Sequence, residues 1–327
     1  MSSKIYIPRK IRHCLSIVRR TLQHFSEWNQ DAWRFFKAST VTGNYFGNDT
    51  AHLESDIIRL YHVVEKSLSM PAFRPRSSLN MVRQLQASLD KWDGLEGPHI
   101  ASARVVLEAY RKKHEELGVD ISDVFSGGAT SCILDGQGGV KPYHSHTQLD
   151  REVFLRVMTG RVSVRNFDVG RIPDQKILGR AVTAAMSSPS VCNRQTSKAY
   201  CYTGQKAQEL LALQNGNRGF GHTIPAIFIV TSDLRLFTGT SERYQAWIDG
   251  GMFAMSLLLG LHGEGLGALA LNWSVLNKRD RELRKAASIP DHERIIMLIG
   301  CGYPTEGAVV PVSTRRDLEE VFILQES

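Results

Sequence analysis

The side chains best suited to chemistry in this chain lie in two short runs. The first is Arg161-Val162-Ser163-Val164-Arg165-Asn166-Phe167, where two arginines flank a serine at alternate positions. An extended backbone would turn all three side chains to one side. Guanidinium groups keep their charge and offer paired donors, and a serine hydroxyl adds another, so the grouping suits a phosphate on a mononucleotide. Taken alone, the same run also reads as a solvated basic loop. The second run is Ser188-Pro189-Ser190-Val191-Cys192-Asn193-Arg194-Gln195. Proline and serine set a turn here, and the two amides can meet both the carbonyls and the N–H of a heterocycle edge. Without the first run it would be an ordinary capped turn.

Other reactive side chains carry plainer readings. His144 and His146 form an H-x-H pair, but with no cysteine or acidic cluster nearby they read as solvated histidines, and no metal site is expected. His62, Glu65 and Lys66 sit one helical turn apart and read as a surface ion pair. Cys192 reads as a small packing residue, and Trp273 as either a stacking surface or a core residue. The five cysteines, at 14, 132, 192, 201 and 301, lack CxxC spacing, which argues against a disulfide framework and fits a reducing, cytoplasmic setting.

The elements that must position these runs divide into two patterns. Up to residue 125 the chain reads as all-α. Ile11, Leu15, Val18, Leu22 and Phe25 make one apolar helical face, and helices are expected over 56–66, 78–92 and 99–117. A Gly-rich linker covers 126–147. From 148 to 327, apolar β-branched runs at 199–203, 225–231, 268–271, 295–300 and 321–324 read as strands. Helices are expected between them at 149–159, 174–186, 204–214, 244–262 and 279–287. Interleaving of this kind predicts a layered α/β or α+β domain.

Bulk composition bounds the function. Hydrophobic residues at 42% and charged residues at 22% describe a globular protein with a real core. The longest apolar stretch, 252–261, is too short to span a bilayer. A net charge of +7 is moderate, and no basic stripe is interleaved with aromatics, so nucleic-acid binding is not expected. The first 25 residues carry Lys4, Arg9, Lys10, Arg12, Arg19 and Arg20, with no acid before Glu27. Docking on the protein's own body and weak contact with an anionic membrane surface are the two readings of that helix.

Together the two chemical runs resemble the nitroreductase family, in which an Arg-x-Ser-x-Arg element is followed about 25 residues later by a Pro-Ser-x-x-Asn-x-Gln turn. Further landmarks follow in family order. These are the apolar run 248–269 with its Gly265-Leu266-Gly267 turn, then Pro290–Arg294, Gly302-Tyr303-Pro304, and the basic element at Thr314–Val321. The resemblance covers roughly the last 180 residues and implies a mostly antiparallel central sheet flanked by helices, preceded here by the all-α region.

It also implies an FMN site. Arg161, Ser163, Arg165 and Arg315 would hold the phosphate and pyrimidine edge. Asn193 would bond the isoalloxazine, with Pro189 and Ser190 lining it from a second subunit. Ala270, Leu271 and Asn272 would set backbone amides beside flavin N5. The implied activity is ping-pong two-electron transfer from NAD(P)H to a small organic acceptor, in a homodimer with FMN at its interface and no proton-relay dyad. The chain departs from the pattern at Thr196-Ser197, where Pro-Trp often follows the glutamine, and at Asn272, where some relatives carry an acid. Both departures bear on the substrate, so two alternatives stay open. One is a flavin dehydrogenase or oxidase that desaturates a small molecule or peptide-derived ring. The other is a non-catalytic accessory in a polysaccharide-type pathway, to which the run Tyr61–Pro71 bears a loose similarity.

Overall fold

A computed structural model describes residues 9–40, 50–125, 138–141 and 150–325. His144, His146 and most of the expected linker lie outside the described residues.

The first part of the chain is helical, as its periodicity predicts. It comprises α1 (Arg9–Ala38), α2 (Thr50–Leu68), α3 (Leu79–Asp90) and α4 (Pro98–Glu116). Helices α2, α3 and α4 enclose a core of their own, built around Ile57, Ile58, Val64, Leu85, Val106 and Tyr110. Pro98 fits the first turn of α4, where its missing N–H costs nothing. Helix α1 is longer than the apolar pattern alone suggests, and its contacts go to the later part of the chain.

After residue 150 come α5 (Arg151–Gly160), α6 (Gln175–Ala185), β1 (Ser197–Thr203), α7 (Gly204–Leu211), β2 (Ala226–Asp233), α8 (Gln245–Gly263), β3 (Gly267–Asn272), α9 (Asn277–Ala287), β4 (Glu293–Gly302) and α10 (Leu318–Val321). Asp150 and Asp174 cap α5 and α6 by accepting from Val153 N and Lys176 N. The four strands form one antiparallel sheet in the order β1-β2-β4-β3. Helices α6 and α8 cover one face over Phe228, Val230, Ile299 and Cys301. Helices α7 and α9 cover the other over Ile227, Ile229, Leu271 and Leu298. This is the expected α+β architecture, and β2 is buried at every position because both its faces are covered.

One expected strand is corrected. Residues 318–321 form a single helical turn and 322–324 run on extended, with no sheet partner in the described chain. The apolar pattern at 321–324 reports a surface that needs covering, but a strand also needs a neighbouring strand to pair with. Leu318, Val321, Phe322, Ile323 and Leu324 are all exposed. No described helix is long and apolar enough to cross a membrane.

Candidate functional site

The first chemical run becomes a strap along the free side of β3. Ser163 forms a parallel bridge with Ala268, and Val164 N donates to Ala268 O at 3.2 Å. Phe167 bridges Pro304, Asp168 N donates to Tyr303 O at 2.9 Å, and Thr305 N donates to Asn166 O at 3.2 Å. The strap lies so close that a Cβ on Gly267 would meet Val164 and Pro304 at 2.9 Å, which is why glycine stands there. Gly265, just before it, has φ of +76° and makes the left-handed turn out of α8. Val164 and Phe167 are buried anchors, so the strap's polar side chains are left at the surface.

The bridge brings Ser163 and Arg165 beside the strand that holds Ala270, Leu271 and Asn272. Ala270 and Asn272 are exposed on β3, whereas Leu271 points into the core on the opposite face. The Asn272 carbonyl accepts from Gln214 Nε2 at 3.0 Å, which fixes the strand end. Arg165 bonds only the Ser163 carbonyl at 3.4 Å and lies over Phe220 at 5.8 Å, with Thr223 Oγ1 donating to its carbonyl. Arg161 has a buried Nε with no partner. Arg315 is exposed and bonds only the Ser313 carbonyl. None of the three arginines forms an ion pair among the described residues; Arg161 and Arg165 leave the strap with uncompensated cationic donors, the chemistry a phosphate needs, while no described hydrogen bond joins Arg315 to the strap.

The second run sits elsewhere. It leads into β1, the opposite edge strand, and three strand spacings of roughly 4.8 Å put about 14 Å of sheet between the edges. Pro189 and Ser190 are expected to reach the ring from a second subunit, and their place at the far edge leaves that expectation open; Asn193 is likewise not brought to the strap of its own chain. The turn is tightly specified all the same. Cys192, Asn193 and Gln195 have φ of 50°, 55° and 50°, Val191 N donates to buried Asp249 at 3.1 Å, and Gln195 N donates to Ser190 Oγ at 2.9 Å. Arg194, fully buried, reaches Glu242 Oε1 at 2.5 Å and lies over Phe237. Pro189 and Ser190 line a cavity of about 320 Å³ with Gln195, Lys198, Asp249 and Phe253. Asn272 and Trp273 line a different cavity of about 500 Å³, closed on one side by Glu27 and Asp31 of α1 and also lined by Trp247 and Arg294. Trp273 is a core residue whose Nε1 donates to Asp280 at 3.0 Å.

Reading the sequence missed the way the helical region bears on this turn. Helix α2 packs against it. The Tyr61 hydroxyl lies 2.9 Å from His99 Nδ1, and burial first, then Glu65, pushes its pKa up to about 12. Burial likewise lowers His99 below its ordinary value, so the pair is neutral. His62 and Glu65 do form the expected helix pair at 3.3 Å, and Glu65 also accepts from Gly139 N at 3.1 Å. Pairings between residues some 130 positions apart leave no periodic trace in a sequence, which is why Tyr61 was not singled out.

Asp233, His292 and Glu293 bring ligand-type atoms within 4.8 Å of one another, the geometry of a metal site. Their chemistry says otherwise. Glu293 accepts from Lys198 at 2.7 Å, Tyr200 at 2.8 Å and Thr231 at 2.6 Å, and Asp233 is paired with Arg235. The lone pairs a cation would use are already occupied, so the cluster is a buried ionic joint between strands.

An antiparallel sheet between two helical layers, with a cationic strap on one edge strand, defines an α+β domain. Comparison with known proteins adds a likeness: residues 202–303 match the Nitroreductase family model. An iodotyrosine deiodinase from Haliscomenobacter hydrossis is 38% identical over 68 residues, 21% of this chain and 29% of that protein. A Methanothermobacter thermautotrophicus protein named as an NADH dehydrogenase/NAD(P)H nitroreductase is 24% identical over 165 residues, 50% of this chain and 83% of that one. Solved structures include a nitroreductase family protein from Streptococcus pneumoniae, at 21% identity and TM-score 0.45, covering 53% of this chain and 100% of its own. A protein named as a nitroreductase, solved in complex with FMN from Desulfovibrio desulfuricans, has 19% identity and TM-score 0.45 over 53% of this chain and 96% of its own.

Proposed function

We propose that this chain is an FMN-dependent oxidoreductase that takes reducing equivalents from NAD(P)H and passes them, two electrons at a time, to a small organic acceptor. The observation that carries this reading is the Ser163–Ala268 bridge, which sets unpaired phosphate donors beside the exposed Ala270 and Asn272 of the same strand. The two-electron hydride chemistry would be supplied by FMN when bound. The residues present fit that group, since the orphaned Arg161 Nε and the carboxylate-free Arg165 and Arg315 are donors in want of an anion.

The protein's own contribution is binding, orientation and charge. Arg161, Ser163, Arg165 and Arg315 hold the phosphate end, and Arg165 favours negative charge at the pyrimidine edge. The backbone of Ala270, Leu271 and Asn272 orients the ring at N5. The cavity of about 500 Å³ next to Asn272 receives the acceptor. Pro189, Ser190 and Asn193 complete the site from a second subunit in a homodimer. Three things support the dimer: the separation of the two chemical runs to opposite sheet edges, the exposed apolar side chains of α5 and α8 (Phe154, Met158, Trp247, Ile248), and the uncovered arm at 318–324. The helical region, about 1–125, is read as a separate domain that restricts access and braces the turn. The four described cysteines are free thiols, in keeping with a reducing cytoplasm.

Anaerobic titration with NADH and NADPH, followed in the visible spectrum of the purified protein, tests the assignment. Loss of flavin absorbance within seconds supports it. A colourless protein that FMN cannot reconstitute contradicts it.

A further inference from the structure

Helix α1 is attached to the protein by a polar face over residues 27–34 and, at its C-terminal end, by Phe35 packed on Leu234 and Phe237. Glu27 Oε2 accepts from Asn277 N at 2.7 Å, Arg281 donates to Gln30 at 3.0 Å, Arg294 to Asp31 at 2.5 Å, and Arg34 to Asp280 at 2.9 Å. Positions 27, 30, 31 and 34 share one helical face. At about 100° per residue, Ile11, Leu15, Val18, Leu22 and Phe25 fall on the far side, and Trp33 and Phe36 continue that stripe. All seven are exposed, Leu22 at 65% and Phe25 at 57%. The helix therefore holds this stripe away from the body it docks on, and from residue 11 to 25 the stripe is about 21 Å long.

Charge identifies what covers it. Residues 1–26 contain six cations and no acid. Arg12 and Arg19 follow Ile11 and Val18 in sequence and so flank the stripe, and neither they nor Arg20 forms an ion pair among the described residues. A second copy of the helix, packed on the same stripe, would bring these arginines together with no carboxylate to answer them. An anionic lipid surface answers Arg12 and Arg19, and long arginine stems let their charged heads stay at the headgroups while the stripe sinks below.

We propose that α1 is a membrane-surface anchor, its apolar stripe lying in the headgroup boundary of an anionic bilayer and its arginines on lipid phosphates. The body of the protein then hangs from the opposite face, through Glu27, Asp31 and Arg34, with the cavity beside Asn272 directly under the anchor. The inference is independent of the flavin reading, because it rests on α1 alone.

The test is co-sedimentation of the full chain with vesicles of phosphatidylcholine, alone or mixed with phosphatidylglycerol. The mixed vesicles should carry the protein down and the neutral ones should leave it in solution. Leu15→Ser with Leu22→Ser should weaken partition at least ~tenfold. Arg12→Gln with Arg19→Gln should remove most of the dependence on salt. Circular dichroism should be unchanged in both pairs, since the substituted side chains face solvent. Failure to sediment with either vesicle overturns the proposal, as does unchanged partition of the Leu15→Ser, Leu22→Ser protein. A particle mass by light scattering that falls by half in that variant also overturns it, assigning the stripe to a second copy.

Discussion

Gly267→Ala should loosen the strap that carries Arg161, Ser163 and Arg165. The added Cβ would sit 2.9 Å from Pro304 Cγ and 2.9 Å from Val164 Cβ and Cγ2. Val164 is a buried, β-branched residue tied to Ala268 O, and Pro304 is a rigid ring bridged to Phe167, so neither can swing aside without moving the strap. Overpacking of this kind costs ~1–3 kcal/mol, and loss of the Val164 hydrogen bond adds ~0.5–1.5 kcal/mol. A total of about 1.5–4.5 kcal/mol should appear as a lower urea midpoint. If the moved strap forfeits one charge-assisted bond to phosphate, worth ~1.5–3 kcal/mol, FMN should bind roughly ten- to a hundredfold more weakly in a fluorescence titration. Gly179→Ala is the control. It lies on the exposed side of α6 with nothing within 4 Å of the new Cβ, and it should stabilise by about 0.5–1 kcal/mol without touching FMN affinity. A Gly267→Ala protein with the parent's midpoint and the parent's affinity would refute the reasoning.

Tyr61→Phe removes the hydroxyl bonded to His99 Nδ1, on the helix that packs against the turn, and should cost ~1 kcal/mol of stability. If the turn serves FMN, this variant should also raise the FMN dissociation constant, whereas a purely structural tyrosine would leave it alone. Burial first, then Asp233, raises the pKa of Glu54 above its usual 4.5. Its folded-state stability is therefore greatest below that value and declines as pH rises through the raised one, so Glu54→Gln should gain stability over the parent at pH 7 and none at pH 4, read by thermal melts. Burial alone would raise Asp280, but Arg284 and Arg34 outweigh it and hold its pKa below the usual carboxylate range. Asp280→Ala strips the partner from nearly buried Arg284 and should cost about 3–5 kcal/mol in urea unfolding at neutral pH, with the difference narrowing in acid.

Most of the fold was legible because its signals are local. Period-2 and period-3.6 patterns located β1 to β4 and α5 to α9, and Gly265 and Gly267 marked the turn where the strap meets β3. The residues of the site were legible as types, since an unpaired Arg-x-Ser-x-Arg run has few structural uses. Their arrangement was not. Nothing in the order of the chain says that β1 and β3 are opposite edges, so the separation of Asn193 from Arg165 emerges only from the strand order. The strand expected at 321–324 failed for a related reason: an apolar run reports the need for cover, not who provides it. The outward turn of α1's apolar face was invisible because the amphipathic pattern is the same whichever side faces the body.

The claim most exposed to experiment is that Arg161, Ser163, Arg165 and Arg315 form a phosphate site. Comparing the dissociation constants of FMN and riboflavin for the same purified protein isolates the phosphate's share. Two or more charge-assisted bonds predict FMN tighter by ~100-fold or more, with most of that gap lost at high salt. Equal affinities for the two flavins would contradict the account.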